Sequence, residues 1–166
     1  RRWRGSSTPS SRGRKGKIVV NHTRRFSRKY MKIRDFINTG KLGGLKKINV
    51  VYYGGWFHNG SHVIDTLFLL FGKNIIWQKV YDPVYSRHKD DPTLQISGRL
   101  GETNTPVMLA AIDENYFQLF EVDAWFERGR LKLEDFGYSV DIKESIENKN
   151  SEKVLSPIKF KVPTEK

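Results

Sequence analysis

Residues 45–72 read LKKINVVYYGGWFHNGSHVIDTLFLLFG, and this stretch decides how the rest of the chain is divided. Ile48, Val50 and Tyr52 alternate with Lys47, Asn49 and Val51, the period of a strand with one buried face, so a strand is expected over 45–54. Gly54-Gly55 breaks it. Asn59 or Ser61 then caps a helix running to Phe71, with Gly72 past its end. Val63, Ile64, Leu67, Phe68, Leu69, Leu70 and Phe71 make that helix apolar nearly all round, which marks it as buried. His62 and Asp65 are polar residues kept inside its first turns, and a buried helix keeps such residues for a reason.

Upstream, Phe26, Tyr30, Ile33 and Ile37 fall at spacings of four, three and four, one apolar stripe of a helix over 28–38. Ser27 is its N-cap, Gly40 its C-cap, and Gly43-Gly44 a turn. Arg28, Lys29, Lys32 and Arg34 lie mostly off the stripe, as a solvated face. Ile18-Val19-Val20 reads as a short strand before it. After Gly72 the texture is strand and turn: strands are expected over 75–81, 94–100, 107–112, 117–127 and 130–135. Residues 139–155 read as a loop or short helix, and 158–162 as a last short strand. Short connections make neighbours antiparallel. The expected architecture is α+β: a mostly antiparallel open sheet with two helices on one face.

The chain has 166 residues, room for one core with or without a tail. Lys+Arg is 30 and Asp+Glu 18, a net charge of +12, and its distribution is uneven. Residues 1–50 carry +15 and residues 51–166 carry −3. Residues 1–16 read as a disordered basic arm or fragment end, and 17–166 as one domain. Clustered Arg in the arm suits phosphate contacts, but a solvated tail explains it as well, and nucleic acid is not the expected partner. The chain has no cysteine, which excludes disulfides, Cys-ligated zinc and thiol catalysis. No apolar run approaches the roughly 20 residues of a membrane span, and no apolar segment follows the basic N-terminus as in a signal peptide. A cytoplasmic protein is expected.

The residues that could carry chemistry sit between Tyr52 and Asp65. His58 and His62 are four apart, and Asp65 follows His62 by one helical turn. With a helix starting by Asn59, His62 lies near the positive end of the dipole, which lowers an imidazole pKa and suits it to general acid/base work. Asp65 could orient it. Two other readings stay open. His62 and Asp65 could be a satisfied polar pair in the core. His58 and His62 could be zinc ligands, although the Glu of an H-E-x-x-H motif is missing, no third ligand is evident, and no metal is expected.

The ordered run of Val20-Asn21-His22-Thr23-Arg24-Arg25-Phe26, Tyr30, Ile37-Asn38-Thr39-Gly40-Lys41-Leu42-Gly43, Gly60-Ser61-His62-Val63-Ile64-Asp65 and Leu70-Phe71-Gly72 resembles the Gfo/Idh/MocA family. A weaker likeness to the family's last hairpin follows over residues 121–137. The resemblance implies a C-terminal substrate and oligomerisation domain of the dihydrodipicolinate-reductase or glyceraldehyde-phosphate-dehydrogenase type. It implies action on a sugar, nucleotide-sugar or inositol hydroxyl or ketone with NAD or NADP. It places the general acid/base on His62 and a substrate contact on Arg24. Where the family often carries Asp, four residues before the histidine, this chain has His58, so His58 or Asn59 is expected to take the substrate hydroxyl. No strand followed by G-x-G-x-x-G is present, so the cofactor is expected to come through a Rossmann domain absent from this chain, without which hydride transfer should not occur. A non-catalytic binding or assembly domain is the alternative, and a basic nucleic-acid binder the third.

A sheet with both helices on one side leaves its other face open. Leu94, Ile96, Leu109, Ala111, Leu119 and Trp125 are expected to put bulky groups there, and family resemblance points the same way, to a homo-oligomer packed sheet to sheet.

Overall fold

The computed structural model describes residues 22–72, 74–85, 87, 89–101 and 103–161. The arm at 1–16, the strand expected at 18–20 and the end of the last expected strand, Val162, lie outside the described residues. A 3-10 turn, Thr23–Phe26, leads into α1, Arg28–Asn38, then β1, Leu45–Tyr52. A single π-helical turn, Gly55–Gly60, runs into α2, Ser61–Phe71. The remaining strands are β2, Ile75–Val80; β3, Ile96–Leu100; β4, Thr105–Ala111; β5, Glu121–Phe126; β6, Gly129–Glu134; β7, Ser139–Glu147; and β8, Lys153–Pro157.

The described strands form one sheet in the order β2-β3-β4-β1-β5-β6-β7-β8. The β1–β4 pair is parallel and the others are antiparallel. Ile48, Val50 and Tyr52 of β1 are buried, as the alternation requires, and their row neighbours Val107, Leu109, Val122 and Ala124 are buried with them. Tyr30 and Ile33 of α1 and Val63, Leu67 and Leu70 of α2 close the same core, so both helices cover one face. The expected α+β architecture is the one observed.

Ser27 caps α1 as expected, its hydroxyl accepting the Tyr30 amide at 3.4 Å. Two residues of that region depart from expectation. Phe26 stands in the 3-10 turn ahead of the helix and is 73% exposed, so it takes no part in the stripe. Lys29 is only 8% exposed. Its ammonium donates to the Gly137 carbonyl at 2.6 Å and lies 5.3 Å from the Tyr138 ring. The cause is the turn between β6 and β7, which folds over the start of α1. There Asp135, Phe136 and Gly137 all take left-handed backbone angles (φ 51°, 55° and 81°), closed by the Tyr138 amide on the Asp135 carbonyl at 2.8 Å. Phenylalanine adopts such angles only under constraint. The cations Lys29 and Arg24 hold the two carbonyls that this turn presents.

Three expectations fail. Residues 139–155 are no loop or helix but most of a β7–β8 hairpin, closed by Asn148, whose side chain accepts the amides of Asn150 and Glu152 at 2.9 and 3.0 Å. Ile142 alone of its residues is fully buried, so apolar alternation was too sparse to announce the strands. The last strand ends at Pro157, not Val162. Residues 158–161 instead lie along α1, with Phe160 edge-on to Phe36 at 5.5 Å and the Lys161 carbonyl accepting from Lys32 at 2.7 Å. Lastly, Ile96 and Leu109 face the helices, as does Ala111 beside Tyr52, while Leu94 and Leu119 lie outside the strands. Of the six, Trp125 alone stands on the open face, flanked by Lys47 at 5.5 Å and Arg130 at 5.1 Å. Its neighbours there are ion pairs, Arg130–Asp123, Lys132–Glu134 and Lys143–Asp141. Around Trp125, over β5–β7, the open face is charged rather than apolar.

Candidate active site

The site forms where β1 ends. Gly54 and Gly55, at φ 71° and 88°, reverse the chain into the π turn. The helical rod starts there, upstream of the expected Asn59 or Ser61, because its first four amides find partners on one distant segment. Gly55 N–H donates to Thr93 Oγ1 at 2.9 Å and Trp56 N–H to the Pro92 carbonyl at 3.0 Å. Phe57 and His58 N–H donate to the two carboxylate oxygens of Asp91 at 2.8 and 3.1 Å. These are the donors a helix N-terminus leaves open. His62 therefore lies well inside the rod, and the expected dipole argument for its pKa loses its position.

Its pKa is nonetheless lowered from 6.5, chiefly by burial, then by the positive fields of Arg24, His22 and His58, with Asp65 opposing. His62 is thus neutral at pH 7. Its ring meets His22 edge-on, centroids 5.1 Å apart with the Nδ1 atoms at 3.5 Å, and His58 at 6.3 Å. His58 is exposed at the rim.

Arg24 lies on the adjoining wall, its guanidinium 4.1 Å over the Phe120 ring, donating to Tyr30 Oη at 3.1 Å and to the Phe136 carbonyl at 3.4 Å. Asp65 Oδ1 accepts from Arg25 Nε at 2.5 Å, so the carboxylate that could have oriented His62 is engaged by arginine, and its buried Oδ2 has no hydrogen-bond partner among the described residues. Asn59 folds back over Gly54, its Nδ2 only 2.7 Å from where a β-carbon there would stand. The structure thus brings His58 and His62 together, sets Arg24 beside them, pairs Asp65 with Arg25 and folds Asn59 over Gly54.

His22, Arg25 and Asp91 were not singled out by sequence. The pattern Asp90-Asp91-Pro92-Thr93 carried a signal, an acid and a hydroxyl suited to capping, but nothing along the chain says which helix they cap. A cleft of about 320 Å³ opens between the 3-10 turn and α2, lined by His22, Trp56, Phe57, Ser61, Asp65 and Phe68. Among the described residues no three His, Asp or Glu side chains gather as metal ligands.

A dinucleotide does not fit these residues. Gly54-Gly55 is the glycine pair nearest a helix start, but a β-carbon on Gly55 would fall inside the Asp91 carboxylate. The amides that could hold a phosphate are taken by that same carboxylate.

The lowered His62 pKa fixes a sign for stability. Between the folded and unfolded values the unfolded chain binds more protons, so stability rises with pH there and falls on acidification. The melting temperature is expected to climb as pH rises toward the ordinary imidazole value of 6.5, and His62→Gln to flatten part of that slope in thermal melts followed by circular dichroism.

No protein-family profile matches the sequence, and no curated protein matches it. Solved structures do. The Gal80p super-repressor mutant from Saccharomyces cerevisiae superposes with a TM-score of 0.64 at 17% identity, over 84% of this chain and 46% of that one. The WlbA dehydrogenase from Bordetella pertussis, in complex with NADH and UDP-GlcNAcA, gives 0.62 at 14% identity, over 77% and 44%. KijD10, a 3-ketoreductase from Actinomadura kijaniata in complex with NADP, gives 0.53 at 12%, over 78% and 46%. These likenesses show the fold, which is the one the Gfo/Idh/MocA resemblance predicts. The chain spans about half the length of the structures it matches.

Proposed function

We propose that this chain is the substrate half of an NAD(P)-dependent oxidoreductase acting on a hydroxyl or ketone of a sugar, nucleotide sugar or inositol. The nicotinamide is supplied by a nucleotide-binding domain these residues do not form. The observation that carries the reading is His62: an imidazole kept neutral at pH 7 and in contact with two further histidines. A neutral imidazole so placed takes or returns a hydroxyl proton. The cleft beside it has aromatic walls, Trp56 and Phe57, for the face of a sugar ring, and polar groups, Ser61 and His22, for hydroxyls. Arg24 is close enough to bias His62 and to meet a polar substrate group.

The second reading, a non-catalytic binding domain, is favoured by the likeness to Gal80p, whose structures are described as those of a transcriptional regulator. Turnover separates the two. Expressed within its full natural reading frame, the protein is expected to oxidise at least one member of a sugar and inositol panel with NAD⁺ or NADP⁺, and His62→Ala to abolish that turnover. Absence of turnover supports the binding domain instead, and turnover indifferent to His62→Ala removes His62 as the acid/base.

The open sheet face is proposed as the contact with a second copy. Its charges alternate in sign around Trp125, so the patch can face itself across a two-fold axis. Sedimentation should then find a species heavier than 19.4 kDa at micromolar concentration. A monomer that persists at tenfold higher concentration would overturn it.

A further inference from the structure

We infer that His22 and His62 share one proton between their Nδ1 atoms, and that His22 is a positioning residue that sets whether the outer nitrogen of His62 takes or gives a proton. The inference deepens the oxidoreductase reading and rests on it. The two Nδ1 atoms are 3.5 Å apart in rings crossed at 82°, close enough for the N–H of one to meet the in-plane lone pair of the other.

A neutral imidazole carries a single N–H, on either nitrogen. With the shared proton on His62, Nε2 of His62 bears a lone pair and acts as a base. With it on His22, His62 carries its own proton at Nε2 and acts as an acid. The step balances. The substrate O–H bond breaks and a bond from that proton to His62 Nε2 forms. The Nδ1 proton of His62 passes to Nδ1 of His22, and the Nε2 proton of His22 leaves to water, which reaches this partly exposed residue. Neither ring holds a net charge at the end, and reversal of the same moves protonates an alkoxide.

The surroundings favour this sharing over a doubly protonated pair. Arg24 and Arg25 of the 3-10 turn are the cationic groups around it, the His58 ring of the π turn stands at its edge, and Asp65 of α2 is the one carboxylate near it among the described residues, already paired with Arg25. The lowered His62 pKa, to which His22 itself contributes, agrees.

The test is nitrogen-15 NMR of the histidine rings in this chain. The Nδ1 signals of His22 and His62 are expected at positions intermediate between protonated and bare nitrogen at neutral pH. In His22→Ala, His62 is expected to settle into one tautomer and to titrate at higher pH, because a neighbouring positive charge has gone. His22→Gln, which keeps bulk and a donor but cannot ionise, should move the titration the same way. Unmixed tautomers in the natural chain, or a His62 titration unchanged in both variants, would overturn the pairing. The rings are read directly, so a protein with coupled rings and no turnover would refute the oxidoreductase reading and leave the pairing standing.

Discussion

Gly55→Ala is expected to lower stability by about 3–5 kcal/mol, and the melting temperature by about 10 °C. Three costs coincide at this position. The backbone sits at φ 88°, where a β-carbon adds about 1–2 kcal/mol of strain. The new atom would fall inside the Asp91 carboxylate and 2.9 Å from the Asp91 carbonyl oxygen, so the segment 91–93 must withdraw. Withdrawal releases the amides of Gly55, Trp56, Phe57 and His58 together, and lost caps cost about 0.5–2 kcal/mol. Gly40→Ala isolates the first cost, since Gly40 has φ 69° and nothing within 4 Å of its would-be β-carbon. It should cost about 1–2 kcal/mol. Urea titrations of the two variants give the comparison, and equal losses would mean that the contact with Asp91 contributes nothing.

Arg25→Ala should be the second large loss, about 2–3 kcal/mol. Asp65 is 8% exposed and Arg25 is its single charged partner among the described residues, so truncating the arginine leaves a buried carboxylate uncompensated. The Arg25 side chain is itself 47% exposed, which lets water replace part of the lost interaction and keeps the figure below that of a fully buried pair. Replacing both partners, as Arg25→Met with Asp65→Leu, removes the charge that needed pairing and is expected to cost less than Arg25→Ala alone. Urea unfolding of the double-mutant cycle measures the difference. A double variant less stable than Arg25→Ala would mean that packing, not charge, holds the 3-10 turn to α2.

Local chemistry explains what could be read in advance. Ser27, the Tyr30–Ile33 stripe, the alternation in β1 and the apolar run of α2 are signals carried by neighbours along the chain, and each appears where expected. The acid/base role of His62 came from the family resemblance and not from local chemistry. What stayed hidden depends on partners far away in sequence. Where the π turn begins is set by Asp91 and Thr93, more than thirty residues later. Lys29 looked solvated until the Gly137 carbonyl, 108 residues on, came down over it. The expectation that Ile96, Leu109 and Ala111 stand on the open face failed because alternation tells which residues share a side but not which side meets the helices. The β7–β8 hairpin was missed because polar residues occupy most of its positions and turn residues at 148–151 were its main clue.

The place of β1 in the sheet has a consequence for how the chain reaches this state. On one side of it β2, β3 and β4 form a meander, and on the other β5 to β8 form a second, the latter joined throughout by short turns whose pairings close quickly. The two meanders do not pair with each other except through β1, which was made before either and bonds to both, with Ile48 opposite Val107 on one edge and Ala124 on the other. Capturing β1 requires closing a loop of about sixty residues on one edge, a step whose entropy must be lost before its contacts form. Refolding should therefore be limited by seating β1, with the β5–β8 unit forming ahead of it. In the native protein the same geometry lets either meander open without the other, so the slowest amide exchange belongs to β1.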